Sequence, residues 1–225
     1  MKKENYKNIK YFLIPYFGVA FGLLVCILTI PKEELHLMMV EHRSLTADWF
    51  FRVWTEAGGI ALYFFILFFV FFRYRTAFFL FASETLGLLI AWIAKNSYHA
   101  PRPSLYFKEF YPELTLPVIP GFNLMDINSF PSGHTVNSFA FFFALALIAQ
   151  NKWAKLLCFF AAALVAYSRI YLSQHFAIDV LTGSLIGIIS AWMIYPYYLK
   201  LGNKWKDHSL SDYFHRKNQH NLAEN

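Results

Sequence analysis

The chain has 225 residues, 57% of them hydrophobic and 20% aromatic, with a formal net charge of +6 and a positive mean hydropathy. That composition excludes an ordinary soluble domain, and the basic balance calls for no nucleic acid, because membrane topology alone accounts for it. A bilayer crossing takes about 20 apolar residues, and six segments approach that: roughly 11–30, 57–72, 76–94, 134–150, 153–173 and 176–199.

The first segment has a Lys-rich front, but its apolar run is too long for a signal peptide, ends in LTIPKEE and offers no small-residue cleavage site, so it reads as a retained anchor helix. Cys26 within it and Cys158 within the fifth segment are expected to be small buried hydrophobes rather than a disulfide or metal ligands. The loop 31–55 contains PKEELHLMMVEHRS, amphipathic enough for a short interfacial helix. The run LYFFILFFVFF is lipid-facing bulk. Glu84 in the third segment lies on nearly the face of Lys95, about 16 Å deeper; an intramembrane carboxylate is a functional candidate by default, with an equal claim for a purely structural role.

The loop 95–133 is rich in Pro and aromatics and is expected to lie at the membrane interface or over the mouth of the bundle. Residues 1–200 read as one helical bundle and 201–225 as a polar, basic tail. Thirteen of the twenty Lys and Arg fall in the N-terminus, the 73–75 and 152–155 turns, at Lys200 and in the tail. The positive-inside rule then makes both termini cytoplasmic and turns the loops 31–55, 95–133 and 173–175 outward. The expected fold class is all-α: a polytopic membrane protein, six transmembrane helices in one bundle.

Three short stretches share the outward side: KNSYHAPRP, with Lys95 and Arg102; PSGH at 131–134; and SRIYLSQHFAID at 168–179. Lys95, Arg102 and Arg169 are three cations, two of them planar forks that match phosphate oxygens in pairs. Ser132 and Gly133 open a helix whose backbone N–H groups and dipole favour an anion. Such an array suits phosphoryl transfer, in which charge spreads over three equatorial oxygens and catalysis is mainly positioning and electrostatics. His175 and Asp179, four apart, would share a helical face, the carboxylate fixing the imidazole tautomer for nucleophilic attack. His134, from another helix, would be the general acid that protonates the leaving oxygen.

Each element has a plainer reading: Lys95 as an interface anchor, PSGH as a helix cap, His175 and Asp179 as a structural pair. All three motifs on one membrane face, in order, defeat those readings jointly. Tyr98 and His99 could touch substrate or be scaffolding, and Asp126 and Asn128 read as turn formers. Spacings such as His-Glu-x-x-His are absent, so no metal and no other cofactor is expected.

At these residues the chain resembles the type 2 phosphatidic acid phosphatase superfamily, which also includes glucose-6-phosphatase and vanadium haloperoxidases. The signature of that family is a Lys, six residues, then Arg-Pro; Pro-Ser-Gly-His; and Ser-Arg, five residues, His, three residues, Asp. All three parts are present with matching spacing. The resemblance implies a metal-independent phosphatase in which Lys95, Arg102, Ser132, Gly133, His134 and Arg169 bind phosphate and His175 attacks it, oriented by Asp179. Membrane members act on lipid phosphates or pyrophosphates, so the expected partners are a lipid phosphate substrate and the bilayer, with phosphatidate, phosphatidylglycerol phosphate, undecaprenyl pyrophosphate and lipid A as candidates. A bacterial inner membrane with an outward or periplasmic site fits that chemistry. A phosphotransferase using the same intermediate and a non-catalytic lipid transporter are the alternatives; oligomeric state is left open.

Overall fold

Apolar length and the residues that interrupt it set the helix boundaries. The computed structural model describes residues 8–201 and Ser209. Among them are nine α-helices and one 3-10 turn, and no strand. Helix α1 is Lys10–Thr29; α2, Lys32–Val40; α3, Leu45–Trp54, followed by the 3-10 turn Thr55–Gly58; α4, Ala61–Phe72; α5, Tyr74–Tyr98; α6, Pro103–Phe110; α7, Gly133–Ile148; α8, Lys152–Tyr171; α9, Ala177–Leu201. The tail expected at 201–225 lies outside the described residues, apart from Leu201 and Ser209.

Four helices are long and apolar enough to cross a membrane, and a fifth crossing arises if α3 and α4, bent by 47° at their junction, count together. The segment expected at 57–72 is thereby corrected. Its helix begins only at Ala61, and 12 residues reach about 18 Å, short of a core about 30 Å thick. Gly58 and Gly59 interrupt the apolar run, and α3, capped by Ser44 Oγ accepting from the Ala47 N–H at 3.2 Å, supplies the remaining length. The span expected at 134–150 is also short, at 16 residues. The interfacial helix expected in PKEELHLMMVEHRS is α2. The outer loop holds a helix of its own, α6, with Pro103 in its first turn, where proline's missing N–H costs nothing.

Helix α7 is the centre of the bundle, packed against α5, α8 and α9, with eleven of its residues buried. Gly183 and Gly187, four apart on α9, permit the closest approach. A Cβ at 187 would meet Val136 O at 2.5 Å and the Ala140 N at 2.8 Å, and one at 183 would meet Ser132 O at 2.8 Å. Small residues at this spacing let helix backbones touch where no hydrophobic effect drives them together. We expect Gly187→Ala to lower stability by about 1–3 kcal/mol through overpacking, read as a lower melting temperature in detergent; an unchanged melt would mean that α9 can slide off α7 at no cost.

Helix α1 docks through Phe12, whose ring packs edge-on to Phe143 at 5.0 Å and Phe159 at 5.8 Å, and through Tyr16, whose hydroxyl is 3.1 Å from Ser184 Oγ. Its opposite face is open, with Phe21 69% and Leu28 75% exposed, as a lipid-facing surface should be. At the end of the bundle away from the motifs, Lys155 is fully buried and donates to Ala146 O near the C-terminus of α7. One of the cations counted for topology thus also caps a helix.

Candidate active site

The site is assembled at one end of the bundle from the last turn of α5, the start of α6, the first turn of α7 and the α8–α9 turn. Helix α5 continues past its expected end, so Lys95 lies in its last turn and reaches the Asn128 carbonyl at 2.6 Å. Asn128 holds a left-handed backbone, φ 60°, so the turn-forming role expected of it also positions a cation. His99 ends α5 in the same conformation, φ 44°, a scaffolding role, while Tyr98 is exposed beside the Phe130 ring.

Arg102 is the N-cap residue of α6 and is buried. Its backbone N–H donates to Asp126 O at 2.8 Å, Nε to Ile127 O at 2.9 Å and Nη1 to Gln174 Oε1 at 2.7 Å. Gln174 in turn donates to Asn123 O at 3.1 Å. The outer loop and the α8–α9 turn therefore hold the guanidinium between them.

Ser132 is the N-cap of α7, but its hydroxyl makes no cap bond; it accepts from Thr135 Oγ1 at 2.9 Å, and its N–H donates to Asp179 O at 3.1 Å. Nothing lies within 4 Å of where a Gly133 Cβ would be, so there is open space beside the N-terminal end of α7, the end of a helix that favours an anion. Arg169, in the last turn of α8, is 6% exposed and donates from Nη1 to Thr55 Oγ1 at 2.7 Å, while its Nε has no partner.

His175 lies in the turn before α9 rather than on it, its N–H donating to Arg169 O at 3.1 Å. The expectation that His175 and Asp179 share a helical face is corrected in form, yet the pair still meets: Nδ1 is 3.6 Å from Asp179 Oδ2, slightly beyond hydrogen-bond range. That oxygen accepts instead from Ser129 Oγ and from the Phe176 N–H at 2.9 Å. The imidazole is 2% exposed. Burial first, then the nearby Arg169 and Arg102, push its pKa down to about 3 against the pull of Asp179. His175 is therefore neutral near pH 7, with a lone pair available. His134 sits within electrostatic reach of Arg169, His175, Arg102 and Lys95, so the structure brings the sequence-predicted residues into one cluster.

The sequence reading missed Thr55 on Arg169, Ser129 on Asp179 and Gln174 on Arg102. It also missed His36 of α2, which is buried, 3.4 Å from Ser173 Oγ and 5.2 Å from the Phe176 ring. Glu84 is 1% exposed, and neither carboxylate oxygen has a hydrogen-bond partner. Among the described residues, no three His, Cys, Asp or Glu side chains gather in a way that could hold a metal ion.

Comparison with known proteins places this geometry. The family model of the PAP2 superfamily matches residues 76–203, a span that contains all three motifs. Lipid A 4'-phosphatase of Porphyromonas gingivalis is 27% identical over 175 residues, covering 76% of this chain and 73% of that protein. The putative undecaprenyl-diphosphatase YbjG of Escherichia coli is 35% identical over 78 residues, 34% of this chain and 38% of that protein. Among solved structures, Aquifex aeolicus LpxE superposes with a TM-score of 0.59 at 30% identity, covering 74% of this chain and 93% of that one. A PAP2 type phosphatidylglycerolphosphate phosphatase from Bacillus subtilis superposes with a TM-score of 0.60 at 21% identity, covering 88% of this chain and 97% of that one, a likeness of fold. With the motifs, the cluster they build and a family model over more than half its length, the chain is a membrane phosphatase and belongs to the PAP2 superfamily.

Proposed function

We propose that the chain removes a terminal phosphate from a lipid head group through a phosphohistidine on His175. The observation that carries this reading is a buried, neutral imidazole backed by a carboxylate and flanked by Arg169 and Arg102, with Lys95 within electrostatic reach of both guanidiniums and of Asp179. Nδ1 of His175 faces Asp179, which leaves Nε2 to attack phosphorus. The phosphorus–oxygen bond to the head group breaks as His134 gives that oxygen a proton. A water molecule then attacks the phosphohistidine and returns its proton to His134, releasing inorganic phosphate and restoring His175. The three cations, with the Ser132 and Gly133 end of α7, hold the equatorial oxygens through both steps. No metal takes part in this scheme.

A phosphorylated glycolipid of the lipid A type is the substrate favoured first, because the resemblance to the P. gingivalis lipid A 4'-phosphatase runs through most of both chains. A polyprenyl pyrophosphate is the second reading, supported by the local identity to YbjG. The site opens at the outer face of a bacterial inner membrane: Lys10, Arg73, Arg75, Lys152 and Lys200 cluster at helix ends and turns away from the motifs, where the positive-inside rule puts the cytoplasm. Residues 1–200 act as the catalytic bundle, with α7 and the α3–α4 pair completing six crossings.

The test is phosphate release by detergent-purified protein, with chelator present, from lipid A, phosphatidate, phosphatidylglycerol phosphate and undecaprenyl pyrophosphate. The expected result is fastest release from lipid A. Release that appears only when a hydroxyl acceptor is added would make the chain a transferase, and none from any substrate would sink the hydrolase reading.

A further inference from the structure

The 3-10 turn Thr55–Gly58 and Gly59 wall the site from a part of the chain that contains none of the motifs. Thr55 takes the hydrogen bond from Arg169. A Cβ at 58 would meet the His134 carbonyl oxygen at 2.7 Å and Val165 Cγ1 at 2.5 Å, so the turn lies directly on the first turn of α7. At Gly59 a side chain would begin 3.1 Å from Glu56 Oε2 and 3.1 Å from His134 Nε2. The two atoms therefore look into the same small space, at most twice that distance apart though not close enough to form an ion pair, and glycine keeps the space between them clear. Glu56 is exposed, and its charge reaches Arg169.

We propose that Glu56 is the positioning residue of the general acid, its carboxylate engaging Nε2 of the protonated His134 imidazole across the space that Gly59 leaves open and favouring that form. This rests on the phosphohistidine reading given above. A general acid must carry a proton when the head-group oxygen leaves. His134 faces cations from four elements: Lys95 from α5, Arg102 from the start of α6, Arg169 from α8, and His175, when protonated, from the α8–α9 turn. Each opposes an imidazolium there. Glu56 is the carboxylate that the 3-10 turn brings to this side. The substrate class implied is an alkyl phosphate, whose alkoxide cannot leave unprotonated. The GG step after the turn then has a reason: a side chain at 59 would part the carboxylate from the ring.

The test compares Glu56→Gln with the full-length wild-type protein on two esters, dioctanoyl phosphatidate and p-nitrophenyl phosphate, whose nitrophenolate leaves without a proton. For the alkyl ester kcat should fall about tenfold with little change in KM, and for the aryl ester about twofold. The basic limb of the alkyl-ester kcat profile should move to lower pH, because removing the carboxylate lets His134 lose its proton sooner. Glu56→Asp, which keeps the charge, should recover part of the loss. Equal losses on the two esters, no loss on the alkyl ester, or a basic limb that stays in place would each overturn the assignment to Glu56. A wild-type protein inert on both esters and on lipid A would overturn the phosphatase mechanism beneath it as well.

Discussion

His175→Ala should abolish turnover, with kcat lower by about 10⁴-fold or more, as expected when a covalent nucleophile is removed. No neighbour can replace it. His134 lies on α7 and is assigned to the leaving group, and Asp179 is already committed to Ser129 and the Phe176 N–H. The side chain is small and sits in a turn held by its own backbone bond to Arg169 O, so the fold should survive the substitution. A phosphoryl label from the substrate should be retained by wild-type protein quenched during turnover and be absent from the variant. Turnover by His175→Ala at the wild-type rate would move the nucleophile elsewhere.

The second large effect is expected at Arg169, even for a substitution that keeps its charge. Arg169→Lys should lower kcat by about 10²–10³-fold, the scale of losing one preorganised donor to a developing charge. The reason is the shape of the group. One arm of the guanidinium is tied to Thr55 Oγ1 at 2.7 Å while the buried Nε remains unpaired, so the fork can be anchored on one side and still face an anion with the other. An ammonium has no rigid fork and must choose. Thr55→Val, which removes only the anchor, should cost about tenfold. Steady-state kinetics with a melting curve separates these losses from unfolding; activity of Arg169→Lys within threefold of wild type would mean that charge alone suffices.

Most of the residues that cluster at the candidate site could be read in the sequence because the proposed chemistry calls for fixed residue types at fixed spacings: Lys95 to Arg102, Ser132 to His134, Arg169 to His175 to Asp179. Each spacing is a local matter of one turn or one helix end. Thr55 could not be found this way, since it meets Arg169 across 114 residues of sequence and a TEAGG turn is unremarkable until the bundle folds over it. The α3–α4 bend was hidden for a related reason. Apolar content counts Gly58 and Gly59 as tolerable within a span, whereas the backbone breaks there because those residues lie against α7. The helix α6 was overlooked because a Pro-rich stretch reads as loop, although Pro103 falls at a position where a helix accepts it. The pairing of α9 on α7 through Gly183 and Gly187 likewise shows only once the two backbones are seen to touch.

The outer loop holds the site almost entirely with its main chain. Carbonyls of Asn123, Met125, Asp126, Ile127 and Asn128 receive Gln174, Ser104, the Arg102 backbone, the Arg102 side chain and Lys95 respectively, while the side chains of Met125 and Ile127 are exposed. A carbonyl is the same whichever residue carries it. Mutation can therefore rewrite the surface that a head group meets along this stretch while the cations keep their places, so long as the backbone holds its course and Asn128 its left-handed turn. Selectivity and catalytic power are thereby free to drift apart, and a lineage built on this loop could change its substrate by small steps without passing through an inactive intermediate.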